Sequence, residues 1–210
     1  MFSSLRISFI ASVAFTTFTT TFAAPTIAPA IELDNRDVSA ACGGLPNAVS
    51  DYVNFTLTAL YKNIPNDNIT GIPLVVGQAG AISGEELKVF STFASYPFLD
   101  LFQLHLAKGG ITATGNGTGE TTATSRTVVA GSEPHFVVTT PEEPPAEDVY
   151  CALVSTSANG SPNSQFPRLA IRPDSDSFSL CPDGSQVNVF YKPSESQEGC
   201  EPVDLLMISL

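Results

Sequence analysis

Short segments in which apolar and polar residues alternate recur along the chain from residue 53 onward. They are rich in Val, Phe and Thr and are separated by Gly, Pro, Asn, Asp and Ser, which is typical of strands joined by turns. The pattern predicts strands at 53–61, 73–77, 87–93, 102–107, 111–114, 126–130, 135–140, 149–155, 168–172, 178–181, 187–192 and 203–209. We therefore expect an all-β domain, a single antiparallel sandwich or barrel of about 12 short strands, with a β-trefoil-like arrangement as the alternative.

The first of these segments, VNFTLTALY (53–61), shows the alternation most clearly. Successive side chains of a strand point to opposite faces, so one set should face the core and the other set water. The inward set is expected to be Val53, Phe55, Leu57, Ala59 and Tyr61, and the outward set Asn54, Thr56 and Thr58. Asn54 begins an N-glycosylation sequon, which agrees with an outward position.

The segment FQLHLAKGGITATGNGT (102–118) predicts a hairpin that carries one of the two histidines of the chain. Gly109-Gly110 between two strand-like runs is a signal for a two-residue turn. With this turn, His105 would pair with Thr114. The core face would carry Phe102, Leu104, Leu106, Ile111 and Ala113. We therefore expect His105 on the outer face, as an ordinary surface residue.

Sequence motifs for catalysis are weak. The second histidine, His135, starts a strand and has no acidic or nucleophilic residue at a telling spacing. The string GAISG (80–84) has its serine one place too late for the tight turn that presents a nucleophilic serine. Glu85-Glu86 and Glu142-Glu143 are adjacent pairs. Because strand neighbours point to opposite faces, neither pair predicts the opposed carboxylates of a glycoside hydrolase.

One segment resembles a cation site. PDSDS (173–177) places carboxylates at alternate positions, which suit calcium. It lacks the other ligands and the glycine of a calcium loop, and it lies where a turn between strands is expected. Asp174 and Asp176 are therefore expected to hydrogen-bond the turn or to pair with Arg172. We predict no metal site and no cofactor.

The N-terminal residues are typical of a secretory signal peptide. Arg6 precedes an apolar run, and small residues end the stretch, so we expect cleavage after Ala23. Residues 24–41 follow as a flexible leader, and residues 42–210 form the all-β domain. The net charge is −12 and becomes −13 when Arg6 is removed with residues 1–23. An acidic surface repels phosphate groups, which excludes nucleic acid and anionic membranes as expected partners.

The cysteines support secretion into an oxidising compartment. The chain has four, an even number with no C-x-x-C spacing, which predicts two disulfides rather than a zinc or redox site. Three pairings are open. We favour one disulfide between neighbouring late segments and one from the start of the domain to its middle: Cys181–Cys200 and Cys42–Cys151.

Four N-x-[ST] sequons add to this interpretation. In a chain with a signal peptide they predict N-glycosylation and therefore exposure of each asparagine. The acceptors are Asn54, Asn68, Asn116 and Asn159. The Asn159 sequon is the weakest because a proline follows it.

The segment ASYPFLD (94–100) is a candidate recognition patch. It lies between two predicted strands and brings Tyr96, Phe98 and Leu99 together near a proline. If these side chains are exposed they form an apolar surface for a partner. The alternative, which we favour from sequence, is that they cap one end of the core.

Several segments together resemble a group of small secreted fungal proteins of unknown function. They are FTLTAL with its sequon (55–60), GIPLVVGQAGAI (71–82), FSTFASYPF (90–98), FQLHLAKGGI (102–111) and FSLCP (178–182). The resemblance spans most of residues 50–200. It implies an extracellular all-β protein and no catalytic residues.

These observations lead to three hypotheses about function. The first is a non-catalytic extracellular glycoprotein, located in the cell wall or secreted, with a wall polysaccharide or an extracellular protein as partner. The second is a secreted hydrolase of wall polysaccharide, with carboxylates from distant segments. The third is a calcium-dependent lectin-like module.

Overall fold

Most of the alternating segments form strands. A computed structural model describes residues 42–82, 84–99, 101–115, 122–139, 144–154, 166–174 and 177–210, all within one compact unit, Asn35–Leu210. These residues contain no α-helix, and their strands pair in one antiparallel sheet. The strands are β1 (Ala48–Val49), β2 (Tyr52–Tyr61), β3 (Ile72–Ile82), β4 (Glu85–Thr92), β5 (Gln103–Ala107), β6 (Gly110–Thr114), β7 (Thr122–Ser125), β8 (His135–Thr139), β9 (Tyr150–Leu153), β10 (Arg168–Ile171), β11 (Phe178–Asp183), β12 (Gln186–Tyr191) and β13 (Glu201–Ser209).

The sheet closes into a barrel. Nine strands form a hydrogen-bonded circuit in the order β2, β5, β6, β7, β8, β4, β12, β11 and β13, and β13 returns to β2. Strand β3 lies between β2 and β4 and pairs with both. Strands β1, β9 and β10 extend the sheet from β13. The prediction of an all-β barrel or sandwich is confirmed, and the structure is a barrel with extra strands.

One predicted strand is wrong. Residues 126–130 form no strand, and Val129 is 63 % exposed, whereas the strand in this region is β7, four residues earlier. Small side chains fill the barrel here, since Ala123 and Ser125 are fully buried. Strand propensity is higher for the branched Val-Val pair than for Thr-Ala-Thr-Ser, so the sequence pattern predicts the strand at the wrong residues.

The inward-facing set of β2 follows the prediction only from Phe55 onward. Phe55, Leu57 and Ala59 are buried as expected, but Val53 is 58 % exposed. Asn54 has φ 51°, and the pairing of β2 with β5 shifts register between Tyr52 and Phe55. Such a bulge adds one residue and reverses the alternation before it.

The outer side of β2 also differs from the prediction. Thr58 was expected in water but is 6 % exposed, and Leu60 and Leu206 on the same side of the sheet are buried too. Thr58 pairs with Leu206 of β13 on one edge and with Pro73 of β3 on the other. This part of β2 is therefore covered on both faces, and alternation along a single strand does not reveal a second layer.

The β5–β6 hairpin has the predicted facing but a different register. Leu106 pairs with Ile111 and His105 with Thr112, so the predicted His105–Thr114 pair is wrong. The turn residues are Lys108 and Gly109, with φ values of 50° and 87°, rather than Gly109 and Gly110. Pairing partners change by two positions, which leaves each side chain on its predicted face.

Aromatic residues fill the barrel interior. Phe90 and Phe136 pack edge to face with ring centroids 4.8 Å apart, and Tyr150 is fully buried. The Tyr150 hydroxyl has no hydrogen-bond partner in the described residues, and burial raises the pKa of this phenol well above its usual range. Tyr150 therefore stays protonated and contributes packing rather than charge.

Both favoured disulfides are present. Cys42–Cys151 joins the start of the described chain to β9, and Cys181–Cys200 joins β11 to the residue before β13. Within the described residues there is no free cysteine. The predicted pairing is confirmed.

Candidate binding surface

An exposed apolar loop follows strand β4. We call residues 93–99 the aromatic loop. Phe98 is 56 % and Leu99 54 % exposed, whereas Tyr96 is half-buried with its ring 5.0 Å from that of Phe98, edge to face. The expectation that all three cap the core is therefore wrong for Phe98 and Leu99. These two side chains instead form the exposed apolar surface that was the other possibility.

The base of the aromatic loop is held firmly against the barrel. The backbone N–H groups of Ser95 and Tyr96 both donate to the carbonyl of Thr92, at 3.0 Å each. The hydroxyl of Ser95 accepts from the backbone N–H of Val187 on β12, also at 3.0 Å. The loop is thus fixed at its base, while Phe98 and Leu99 project from it.

A glycine makes room for the ring of Tyr96. A Cβ atom on Gly77 of β3 would lie 3.2 Å from Cγ of Tyr96 and 2.7 Å from Oγ of Ser91. Because Gly77 has no Cβ, the ring can lie directly on the strand. The half-buried Tyr96 therefore connects the exposed tip of the loop to the sheet.

Ser91, next to Gly77, belongs to a buried polar network. The hydroxyl of Ser91 donates to Oδ1 of Asn188 at 2.6 Å, and Nδ2 of Asn188 donates to Oε1 of Glu133 at 2.7 Å. Ser91 and Asn188 are almost completely buried. Buried polar groups need such partners, and a network that satisfies them also orders the segments it joins.

Glu133 ends this network and is the most unusual carboxyl group described. Burial raises the pKa of the Glu133 carboxyl, the hydrogen bond from Asn188 lowers it, and the nearby charge of Asp183 raises it, with a net upward shift. Sequence reasoning missed Glu133. Its partner Asn188 lies 55 positions away, and no local motif marks the pair.

The two histidines occupy different positions. His105 is exposed on the outer face of β5, and His135 is half-buried at the start of β8. Among the described residues, neither imidazole makes a hydrogen bond or an ion pair. Neither imidazole is hydrogen-bonded to the polar network of Ser91, Asn188 and Glu133.

Glu85 and Glu86 lie along a shallow groove and do not form an opposed pair of carboxylates. Glu85 and Glu86 border an open depression of about 410 Å³ that also touches Gln78 and Thr139. Oε1 of Glu86 lies 2.8 Å from Nζ of Lys88, which also donates to Gln78. The charge of Glu86 is therefore paired with that of Lys88 on the same strand. The second pair, at 142–143, lies outside the described residues.

The segment at 173–177 uses its described carboxylate for an ion pair. Oδ2 of Asp174 lies 2.6 Å from Nζ of Lys192 and accepts from the hydroxyl of Ser177 at 2.8 Å. Asp176 lies outside the described residues. Among those described, no group of three or more His, Cys, Asp or Glu side chains is placed to hold a metal ion.

Two of the four sequon asparagines are described, and both are exposed. Asn54 lies at the bulge of β2, and Asn68 lies in the loop between β2 and β3. Asn116 and Asn159 lie outside the described residues.

Comparison with protein-family models, with curated proteins and with solved structures returned no match to this chain. No helix in the described part of the chain is long and apolar enough to cross a membrane.

Proposed function

We propose that the protein is a secreted, non-catalytic glycoprotein that binds an extracellular surface through its aromatic loop. The signal-peptide pattern and the sequons support secretion, and two disulfides are consistent with an oxidising compartment. The resemblance to small secreted fungal proteins supports an extracellular location. The surface we propose is a wall polysaccharide, with an extracellular protein as the other partner class.

The observation that carries the proposal is the exposure of Phe98 and Leu99 on an anchored loop. Neighbouring exposed apolar side chains mark interaction sites more often than scattered ones do. Because the loop base is already fixed, binding loses little conformational entropy. The net charge of −12 favours an uncharged polymer such as chitin or β-glucan over an acidic one.

The test is a sedimentation assay with insoluble chitin, β-glucan and cellulose, scored for bound protein and for released sugar. We expect the glycosylated protein to bind at least one polymer and to release no sugar. The double variant Phe98→Ser, Leu99→Ser should bind roughly tenfold more weakly, since loss of an apolar hot spot costs about 1–2 kcal/mol.

Val129→Ser is the matched control because Val129 is at least as exposed but lies outside the aromatic loop. Equal binding by the loop variant and the wild type would refute the loop as the binding surface. If none of the three polymers binds the wild type, the polysaccharide proposal fails and a protein partner takes its place.

A second candidate function rests on Glu133. Burial and the charge of Asp183 raise the pKa of Glu133, and a carboxyl group with a raised pKa is suited to act as the acid in glycoside hydrolysis. If the sedimentation assay detects released sugar, Glu133→Gln should abolish release and leave binding unchanged. Release that persists in this variant would exclude Glu133 as the acid.

A further inference from the structure

Exposed apolar side chains lie beside both described sequons. Val53, 58 % exposed, precedes Asn54, and the N–H of Leu210, which is 62 % exposed, donates to the Asn54 carbonyl at 2.9 Å. Ile69, 52 % exposed, follows Asn68. Among the described residues, the other large exposed apolar side chains are Ile64, which shares the loop of Asn68, Val129, and Phe93, Phe98 and Leu99 of the aromatic loop.

Asn54 presents its side-chain nitrogen to solvent. Its Oδ1 accepts from Nε2 of Gln103 at 3.2 Å. Within the described residues Nδ2 makes no hydrogen bond. The oxygen is thus held against β5, and the nitrogen, to which a glycan attaches, is free.

The side-chain oxygen of Asn68 is also held by hydrogen bonds, three rather than one. Its Oδ1 accepts from the N–H of Thr70, from the hydroxyl of Thr70 and from the N–H of Gly71, at 2.9, 2.9 and 2.6 Å. Nδ2 again has no partner among the described residues. Asn68 also borders a depression of about 100 Å³ lined in part by Tyr61, Pro65 and Ile72.

We propose that N-linked glycans on Asn54 and Asn68 act as covers, with the first sugars packed on the apolar side chains beside each asparagine. In forming each glycan, Nδ2 bonds to the anomeric carbon of an oligosaccharyl pyrophosphate donor. The bond from that carbon to the pyrophosphate oxygen breaks with its electron pair, and the amide loses one proton. The proposal rests on the secreted glycoprotein proposed above. Among the described residues it leaves two exposed apolar sites uncovered, the aromatic loop and the single side chain of Val129.

The covering role follows from the chemistry of the sugar. An N-acetylhexosamine has apolar ring C–H groups and a methyl group, and a tether at Nδ2 holds it beside the protein at high effective concentration. Removing apolar surface from water is favourable by about 25 cal/mol per Å². Val53 and Ile69 are exposed chain neighbours of Asn54 and Asn68, and the backbone of exposed Leu210 is hydrogen-bonded to Asn54, so we expect an attached sugar to contact these side chains.

The test is a double-variant cycle at Asn68, read as fluorescence of an apolar dye bound to protein secreted by a glycosylating host. Ile69→Ser keeps the N-x-T sequon. We expect Asn68→Gln to raise dye binding on the order of twofold by exposing an apolar patch. Adding Ile69→Ser to that variant should remove the increase, whereas Ile69→Ser alone, still glycosylated, should change nothing.

Asn54→Gln and Leu210→Ser provide the same cycle at the other site. Equal dye binding by wild type and both glutamine variants would overturn the covering role. Mass spectrometry of the same samples measures occupancy, and an unoccupied Asn54 or Asn68 overturns the proposal at that site. Polymer binding by the aromatic loop is measured separately, so its failure is distinguishable from failure of the covers.

Discussion

Among the described glycines, Gly71 has the least space for a Cβ atom. It has φ 76°, and a Cβ atom there would lie 2.8 Å from the carbonyl carbon of Ala59 on β2. Its N–H also donates to Asn68. One glycine thus sets both the entry to β3 and the geometry of a glycosylation site.

Gly71→Ala should therefore lower the free energy of unfolding by about 3 kcal/mol or more, because left-handed strain of roughly 1–2 kcal/mol adds to a backbone clash. Gly131→Ala is the matched control, since Gly131 has φ 85° but open space around its Cα. Gly131→Ala should lower the free energy of unfolding only by this strain, roughly 1–2 kcal/mol. Urea unfolding of both variants checks this, and equal losses would mean that the clash is relieved by small shifts.

Glu133 makes stability depend on pH in a defined direction. Its pKa in the folded protein is raised, so the native state binds this proton more tightly than the unfolded chain. Stability from Glu133 is therefore complete below the unfolded pKa of about 4.3 and is lost as the pH rises through the folded pKa.

Glu133→Gln removes this titration and keeps an oxygen acceptor for Asn188. We expect the variant to gain stability relative to wild type between pH 4 and pH 7, measured by urea unfolding at both values. Asp183→Asn should weaken the pH dependence of the wild type without abolishing it, because burial is the larger cause of the shift. A stability difference that stays constant with pH would contradict the assignment.

At the scale of elements, the β5–β6 hairpin shows what turn chemistry decides. Both turn residues have positive φ, as a two-residue turn of this kind requires, and Gly109 suits it. Lys108 does not, since a side chain with Cβ is strained there. The hairpin forms nonetheless because Leu104, Leu106 and Ile111 bury their side chains on its inner face.

Lys108→Asn should stabilise the protein by about 0.5–1 kcal/mol, because Asn-Gly is the preferred pair for such a turn. Lys108→Val, with a branched Cβ, should destabilise it by a similar amount. Thermal unfolding of the two variants measures both effects. If Gly109 and Gly110 formed the turn, residue 108 would not be a turn residue, and Lys108→Asn would not be expected to be more stable than Lys108→Val for this reason.

The same hairpin shows how far sequence could predict this molecule. Period-2 alternation identifies most strands and the inner face of the hairpin, since burial of one face determines both. It does not determine register, because a shift of two residues preserves every face. The Ser91–Asn188–Glu133 network could not be predicted, since its members are joined only by pairing of distant strands.

At the scale of the whole molecule, closure of the barrel joins the two ends of the described chain. Strand β13 pairs along β2, from Tyr61 with Val203 to Phe55 with Ser209. Such long-range pairing requires loop closure before any contact is gained. Cross-links that shorten the effective loops in the unfolded chain therefore matter for this fold.

The two disulfides should differ in their contribution for this reason. Cys42–Cys151 spans 109 residues and Cys181–Cys200 spans 19, so the chain-entropy relation assigns them about 4.8 and about 3.2 kcal/mol. We expect Cys42→Ser, Cys151→Ser to lower the free energy of unfolding by more than Cys181→Ser, Cys200→Ser, measured in urea on secreted protein. The reverse order would mean that the link between β11 and β13 acts mainly in the native state, by holding two strands of the barrel circuit together. In that case closure of the barrel, rather than restriction of the unfolded chain, would be the step that the cysteines stabilise.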